Sequence, residues 1–149
     1  MKDRYTVVLA AFAILERDGK ILLGRRKNTG YADGKFQMPA GHTEVGEYPK
    51  AAAIREAMEE VGVEIAPEDA EFVHVSHRLN RVDEVGDYVD FFFLVRKWKG
   101  EPKICEPDKC AELVWAPWDN LPEDTIESIR KILGSIREGN VYSENVDRG

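Results

Sequence analysis

Three acidic side chains near the middle of the chain are spaced so that they could act together. Glu56, Glu59 and Glu60 stand at positions i, i+3 and i+4, which share one face if the segment is helical. Three neighbouring carboxylates repel one another unless a cation lies between them, and hard oxygen ligands suit Mg2+ or Mn2+. The spacing therefore predicts a divalent metal site, although glutamates on the wet face of an ordinary amphipathic helix would show the same pattern.

The segment that carries these acids has the features of a helix with a defined beginning and end. Pro49 suits a first turn, where its missing N–H leaves no bond unmade, and alanines at 51–53 favour the helix. Gly62 suits the left-handed position that ends a helix. Three apolar residues recur at helical spacing and predict the face that packs on the core, opposite the glutamates: Ile54, Met58 and Val61.

Residues around the helix predict that its acids are held in place. Arg55 can pair with Glu59 one turn later, and Glu47, just before the helix, can reach back to Arg55. The run Met38-Pro39-Ala40-Gly41 places a breaker pair just upstream and predicts a tight loop that delivers the chain to the helix. A strand, a loop and a helix with acids at fixed offsets form the architecture of a site.

These residues together resemble a known signature. Gly41, then Glu47, then the run REAMEEVGV at 55–63 is similar to the Nudix box over all of its 23 positions, with Ala57 standing where a larger aliphatic residue is common. The runs LLGRR at 22–26, EPDKC at 106–110 and WAPW at 115–118 resemble the MutT-like branch of the Nudix family, and within it the members that hydrolyse thiopurine nucleoside triphosphates. The resemblance covers about residues 5 to 135.

The resemblance implies a fold class and a division of the chain. It implies an α+β fold, a Nudix-type α/β/α sandwich with a mixed β-sheet, in one domain over residues 1–138. A polar segment at 139–149 is expected to be a disordered tail. Independently of the resemblance, the pattern of apolar runs predicts strands near 4–17, 20–26, Phe36, 71–80, 87–98 and 112–117, and a second helix with an apolar stripe at Ile126, Ile129 and Leu133.

The resemblance also implies roles for individual residues. Glu56, Glu59 and Glu60 would be metal ligands, joined by the Ala40 carbonyl, and Glu56 is a candidate general base, although family members differ in which acid takes that role. Four further residues complete the expected site. Arg55 and Glu47 would brace the loop, and Arg26 and Gly41 would contact the substrate.

Other candidates at the predicted site are less defined. His42 lies in the same loop and could contact substrate, whereas His74 and His77 are expected to be structural. A further metal-binding glutamate outside the box could be Glu44 or Glu106. Trp115 and Trp118 are three positions apart and would face opposite sides of a strand. One of them could stack on a base, although packing in the core is the commoner role of such residues.

The expected activity is hydrolysis of a nucleoside triphosphate, of purine or modified purine type, to a monophosphate and pyrophosphate with Mg2+ or Mn2+ as cofactor. ADP-ribose or another nucleoside diphosphate derivative is the alternative substrate, and a Nudix-fold ligand sensor without catalysis is the alternative class. A bound metal would neutralise the phosphates and lower the pKa of a coordinated water. A sensor has no need for a water-activating cluster, so the intact acids favour the enzyme.

Composition limits the partners. The formal net charge is −7 over 149 residues, whereas duplex nucleic acid or an anionic membrane calls for a basic face. Cys105 and Cys110 lack the ligand spacing of a zinc site and are expected to be two reduced thiols in a cytoplasmic protein.

Two alternatives concern the start of the chain and the assembly. Lys2 and Arg4 before an apolar run at 5–15 imitate a signal peptide, but Asp18–Gly19 between two apolar runs favours a β-hairpin. The run VDFFFLV at 89–95 carries more aromatic surface than one sheet face easily buries, which predicts a homodimer, as the thiopurine-type relatives also suggest. The alternative is a central strand covered on both faces by the same chain.

Overall fold

The computed structural model describes residues 3–149 and contains, within them, eight strands and two helices. One turn of 3₁₀ helix, Pro67–Asp69, follows the first helix. In chain order the elements are β1 Val8–Arg17, β2 Lys20–Arg26, β3 Phe36–Gln37, β4 Ala40–His42, α1 Pro49–Val61, β5 Ala70–Asn80, β6 Tyr88–Val95, β7 Cys110–Pro117, α2 Glu127–Arg137 and β8 Tyr142–Asp147.

The strands form a mixed sheet with β1 near its centre. Neighbouring strands follow the order β3-β2-β1-β6-β5-β8, while β4 pairs with the first half of β1 and β7 pairs with β2. The β1–β6 and β5–β8 pairs are parallel, and the remaining pairs are antiparallel. The predicted mixed sheet is confirmed. Because β4 pairs with the central strand β1, the loop that leads into α1 starts beside the core.

The hairpin at the start of the chain is present. Asp18 and Gly19 both have positive φ angles, 53° and 75°, as a tight turn between twisted strands requires. Residues such as Ile14 in β1 and Leu23 in β2 are fully buried. The strand interpretation of this apolar run is confirmed; Lys2, part of the competing signal-peptide pattern, lies outside the described residues.

The two helices cover opposite faces of the sheet, so the predicted α/β/α sandwich is confirmed. One core contains Phe12, Phe92 and Ile132, from β1, β6 and α2. The other contains Ala11 and Phe93 of the sheet together with residues of α1. Strand β1 contributes alternate side chains to both cores, as a central strand must.

The buried face of α1 differs from the predicted stripe. Met58 is 46% exposed, whereas four residues of the helix are buried: Ala52, Ala53, Ala57 and Val61. Alanine lets the helix backbone approach the sheet closely, and the small side chains Ala11 and Ala13 of β1 meet it in the same core. The prediction is confirmed for Val61, which is buried, and for Ile54, which packs partly buried against this core. It was wrong for Met58, because size complementarity rather than hydrophobicity selects the buried face.

The aromatic run in β6 is accommodated within one chain. Phe92 stacks on Phe12 with ring centroids 4.5 Å apart in one core, and Phe93 is buried in the other. The aromatic argument for a dimer was therefore wrong, because the strand is central and covered on both faces. The homodimer itself stays a prediction.

The polar end of the chain is ordered. Residues Tyr142–Asp147 form β8, which pairs in parallel with β5 from Val75 to Asn80. The expected disordered tail after residue 139 is corrected, because alternate side chains of this polar strand are directed inward, ending in the buried Asp147. No helix in the described part of the chain is long and apolar enough to cross a membrane.

Candidate active site

The acid-bearing helix begins and ends as predicted. Pro49 lies in its first turn, and Gly62 follows its last residue with a φ of 73° and an N–H that donates to the Met58 carbonyl. Tyr48 stands at the N-cap position without a side-chain hydrogen bond. The helix is thus stabilised by its alanine face and its C-terminal cap rather than by an N-terminal one.

Gly41 is required for the close contact between the helix and β4. A Cβ at this position would lie 2.1 Å from Oε1 of Glu56, a distance that atoms do not adopt. Gly41 is not among the residues that line the cleft, and its role in substrate binding stays a prediction. The residue allows a carboxylate of α1 to lie directly against the strand.

Arg55 holds the loop and the helix together. It binds Glu47 through two hydrogen bonds, 2.8 Å from Nε and 3.0 Å from Nη2, and Nη2 also donates to the His42 carbonyl at 3.2 Å. Its Nη1 donates to Glu56 at 2.9 Å and to Glu59 at 3.3 Å. The predicted Glu47–Arg55 and Arg55–Glu59 pairs are confirmed as contacts.

The three glutamates of the site are directed at different partners. Glu56 and Glu59 accept hydrogen bonds from Arg55, while Glu60 accepts one from the Ala40 N–H at 2.9 Å. Within residues 3–149, no three acidic, histidine or cysteine side chains are gathered around a common point. Glu59 is 51% exposed, whereas the side chain of Glu56 is only 15% exposed.

Two of these carboxylates lie in surroundings that disfavour their negative charge and so raise their pKa values. Burial, reinforced by the nearby Glu56 charge, raises the pKa of Glu60 to about 8, although the Ala40 N–H opposes the shift. Burial also raises the pKa of Glu56, and the Arg55 guanidinium opposes this. Desolvated anions of the same sign, with oxygen ligands only, fit a divalent cation such as Mg2+ or Mn2+.

A cleft of about 500 Å³ opens beside the glutamates. Its lining combines acids with bases: Glu56, Glu59, Glu60 and Glu106 on the one hand, and Arg25, Arg26 and Lys109 on the other. Such a combination suits a polyphosphate with a bound metal, because the cation and the bases together balance the charge of the phosphates.

The structure distinguishes the two candidates for a further metal-binding glutamate by their positions. Glu106 lines the cleft, and its charge raises the pKa of both Glu56 and Glu60. Glu44 instead lies 3.7 Å from Arg55, with 69% of its side chain exposed. Glu106 is therefore the one of the pair that lies in the cleft with Glu56, Glu59 and Glu60.

His42 and the tryptophans lie away from the cleft. The His42 ring contacts Tyr88 at a centroid distance of 5.6 Å and is not part of the cleft lining. Trp115 stacks on Trp98 at 6.2 Å, and Trp118 donates a hydrogen bond to Glu16. The substrate role expected of His42 is thus not supported by its position, and the tryptophans have the packing role given as the alternative.

The histidines of β5 and the two cysteines were expected to be structural or unpaired. His74 is fully buried, with Nδ1 2.7 Å from the Asn140 carbonyl and Nε2 2.7 Å from the Ser143 hydroxyl. His77 lies 3.0 Å from the Tyr5 hydroxyl. Both cysteines are free thiols, Cys105 exposed and Cys110 at the cleft.

Sequence reasoning missed several cleft residues. Lys109, Asn28, Thr29 and Gln37 line the cleft, yet none stands in the Nudix box. They come together because β7 pairs with β2, which places Lys109 beside Lys27, whose N–H donates to its carbonyl at 2.9 Å. The run EPDKC was the one available signal, and it indicated resemblance rather than a role.

Comparison with known proteins gives a consistent result. A family model for the NUDIX domain matches residues 4–134. The chain is 28% identical to the 8-oxo-dGTP diphosphatase of Escherichia coli over 126 residues, which are 83% of this chain and 94% of that protein. It is 34% identical to the ADP-ribose pyrophosphatase of Methanocaldococcus jannaschii over 115 residues, or 77% of this chain and 64% of that protein.

A solved structure shows the same architecture. The MutT NUDIX hydrolase from Burkholderia pseudomallei superposes with a TM-score of 0.75 at 28% identity, over 87% of this chain and 97% of that one. The mixed sheet between two helices is therefore shared with that structure. The chain belongs to the Nudix family, and its relatives include MutT-like proteins.

Proposed function

We propose that this protein is a Mg2+-dependent hydrolase that splits a nucleoside triphosphate into a monophosphate and pyrophosphate. Mn2+ is an alternative metal, and the substrate base is a purine or modified purine, as the similarity of the flanking runs to the thiopurine-triphosphate type suggests. The observation that supports the proposal most is the cleft itself. It combines the glutamates of α1 with Arg26 and Lys109, at a size that suits a nucleotide's phosphates.

The acidic residues would hold the metal. Glu56, Glu59 and Glu60 are the proposed ligands, with the Ala40 carbonyl and Glu106 as additional oxygens. The metal, when bound, supplies charge neutralisation of the phosphates and a water of lowered pKa. Glu56 is the proposed proton acceptor, because burial raises its pKa above the ordinary value of a glutamate.

The remaining residues would orient these groups and the substrate. Arg55 and Glu47 fix the loop that carries Ala40 and Gly41 against the helix, so that ligands from two elements keep their separation. Arg26 is the proposed contact to phosphate, and Lys109, which shares its cleft, is added as a second cation. Together they would balance charge on the leaving pyrophosphate.

ADP-ribose remains a second candidate substrate. The relative from Methanocaldococcus jannaschii, which is named an ADP-ribose pyrophosphatase, is the more identical of the two proteins compared, 34% against 28%. A ligand sensor without catalysis is the third candidate, and the buried, charge-rich acids argue against it. Three further expectations accompany the proposal: a cytoplasmic location, no binding of duplex nucleic acid, and a homodimer, which light scattering would distinguish from a 16.9 kDa monomer.

A substrate panel with separated products tests the proposal. The protein would be incubated with purine and pyrimidine nucleoside triphosphates, including thiopurine and oxidised purine forms, with ADP-ribose and with dinucleoside polyphosphates, in Mg2+ and in excess EDTA. We expect pyrophosphate and a monophosphate from purine triphosphates, in Mg2+ alone. AMP and ribose 5-phosphate from ADP-ribose, with triphosphates poor, would establish the second candidate. No turnover of any compound would favour a sensor.

A further inference from the structure

The loop between β2 and β3, residues 27–35, forms one side of the cleft and is held in an unusual backbone conformation. Asn28 and Ala32 have φ angles of 53° and 50°, a left-handed region that costs about 1–2 kcal/mol for a residue with a side chain. Gly30 and Gly34 also have positive φ angles. An exposed loop of this kind keeps one conformation only if contacts elsewhere fix it.

Tyr31 connects this loop to the far end of the chain. Its hydroxyl donates to Oδ2 of Asp147 at 2.5 Å, and Asp147 is the last residue of β8. Asp147 is buried, and its Oδ2 also accepts from Arg78 at 3.1 Å, while Arg78 is bound through two hydrogen bonds to the fully buried Asp90. The tyrosine is therefore attached to a rigid network inside the sheet.

The same tyrosine holds the cleft residue Arg26. The backbone carbonyl of Tyr31 accepts from Nε of Arg26 at 2.7 Å, and Nη2 of Arg26 donates to Thr29 at 3.0 Å. The Arg26 guanidinium also lies 5.3 Å from the centre of the Tyr31 ring. A shift of Tyr31 would therefore move Arg26 and Thr29, both of which line the cleft.

We propose that Asp147, through its hydrogen bond with Tyr31, is a positioning residue that fixes Arg26 at the phosphate-binding part of the cleft. Strand β8, which carries Asp147, begins beyond residue 134, where the match to the NUDIX domain ends. Strand β8, through Asp147 and Tyr31, would thus support the substrate site from a segment that lies beyond that match. The inference rests on the proposed function in that Arg26 is taken to contact phosphate.

The test uses two tyrosines that both donate to carboxylates of β8. Tyr31→Phe removes the buried hydroxyl that reaches Asp147, and Tyr142→Phe removes an exposed hydroxyl 2.7 Å from Glu144, without a link to the cleft. Steady-state kinetics with the preferred nucleotide should show KM raised about three- to ten-fold in Tyr31→Phe with kcat changed less than about two-fold, as loss of one positioning hydrogen bond predicts. Tyr142→Phe should leave both constants unchanged.

Substitutions of the aspartate add a rescue. Asp147→Asn keeps an oxygen that accepts from Tyr31, so its KM should lie between those of the wild type and Asp147→Ala. Tyr31→Phe combined with Asp147→Ala should be no worse than Asp147→Ala alone, because both break one connection. An additive double variant, or equal KM values for Tyr31→Phe and Tyr142→Phe, would overturn the inference.

Hydrogen exchange in the absence of nucleotide separates this inference from the proposed function. Amides of residues 28–34 should exchange several-fold faster in Tyr31→Phe than in the wild type or Tyr142→Phe, while those of α1 stay the same. If no nucleotide is hydrolysed by the wild type, the proposed function fails and the exchange result still decides whether β8 fixes the loop. Unchanged exchange in Tyr31→Phe would refute the positioning role.

Discussion

Two arginines of this fold are surrounded by carboxylates, and the two arrangements differ in charge balance. Arg55 lies within 3.7 Å of four glutamates, Glu44, Glu47, Glu56 and Glu59, in what we term the Arg55 cluster. Arg78 binds two aspartates, Asp90 and Asp147, the second of which also accepts from Tyr31; this is the Arg78 cluster. In the Arg55 cluster, one cation faces four carboxylates, which leaves an excess of negative charge. In the Arg78 cluster, one cation and a hydroxyl donor face two carboxylates, which leaves a smaller excess.

The difference in burial follows the difference in charge. Side chains of the Arg78 cluster are between 0% and 11% exposed, and a buried ion network is tolerated only when its members are satisfied. Glu59 of the Arg55 cluster is 51% exposed. The Arg78 cluster is thus a closed structural network, whereas the Arg55 cluster keeps an excess of negative charge, which supports the proposed binding of a cation.

The largest effect on turnover is expected when one of the proposed metal ligands is replaced. Glu59→Gln and Glu60→Gln should each lower turnover by about 10²-fold or more, as removal of a metal ligand predicts. Stability should not fall in Glu60→Gln, because glutamine keeps an acceptor for the Ala40 N–H and resembles the protonated carboxyl that burial favours in the metal-free protein. Turnover and thermal melting would be measured side by side.

The matched control for these variants is Glu64→Gln, an exposed glutamate four residues after Glu60, beyond the end of α1 and outside the cleft lining. It should change neither turnover nor melting temperature. Full activity of both Glu59→Gln and Glu60→Gln, or of the wild type in excess EDTA, would remove the metal site from the proposal.

Replacing each arginine by alanine tests the comparison directly. Arg78→Ala should destabilise the fold by about 3–5 kcal/mol, because it leaves the buried Asp90 charge unpaired. Arg55→Ala should cost less stability but lower turnover about 10- to 100-fold, because Glu47 and the metal-binding loop lose their brace. Chemical denaturation and initial rates measure the two quantities. If Arg55→Ala alters neither, Arg55 is a surface residue; equal stability losses would contradict the comparison.

The Arg55 cluster could be predicted from sequence because its order is local. Glu47, Arg55 and Glu59 are linked by loop and helix geometry, which fixes distances between residues a few positions apart. The face of α1 that packs on the sheet was nonetheless misassigned in part, since the choice of Ala53 and Ala57 over Met58 depends on the alanines of β1 across the interface. Local periodicity carries no information about such a partner.

The Arg78 cluster could not be predicted, because its members meet only through the sheet. Asp90 and Asp147 are 57 positions apart, and β8 reads as a polar tail until its pairing with β5 is known. The same holds for Lys109, which reaches the cleft through the pairing of β7 with β2. Strand order is a property of the whole chain, so residues that depend on it leave no local pattern.

The smallest expected effect sharpens the comparison through pH. The Arg55 guanidinium lowers the pKa of Glu47 from an ordinary 4.5 to about 2, so this ion pair stabilises the fold above pH 4.5, and the contribution disappears as the pH falls towards 2. In the Arg78 cluster the pKa shift has the opposite sign, because burial raises the pKa of Asp90 and favours its protonated form.

Because the Glu47–Arg55 ion pair is lost in Glu47→Gln, this variant should melt about 2–4 °C below the wild type at pH 7, the shift expected for roughly 1 kcal/mol. The difference should shrink as the pH falls from 4.5 and vanish only below about pH 2. Glu68→Gln, on the exposed 3₁₀ turn, should match the wild type throughout. A difference that stays constant from pH 7 to pH 2.5 would show that Glu47 acts through its shape and not through its charge.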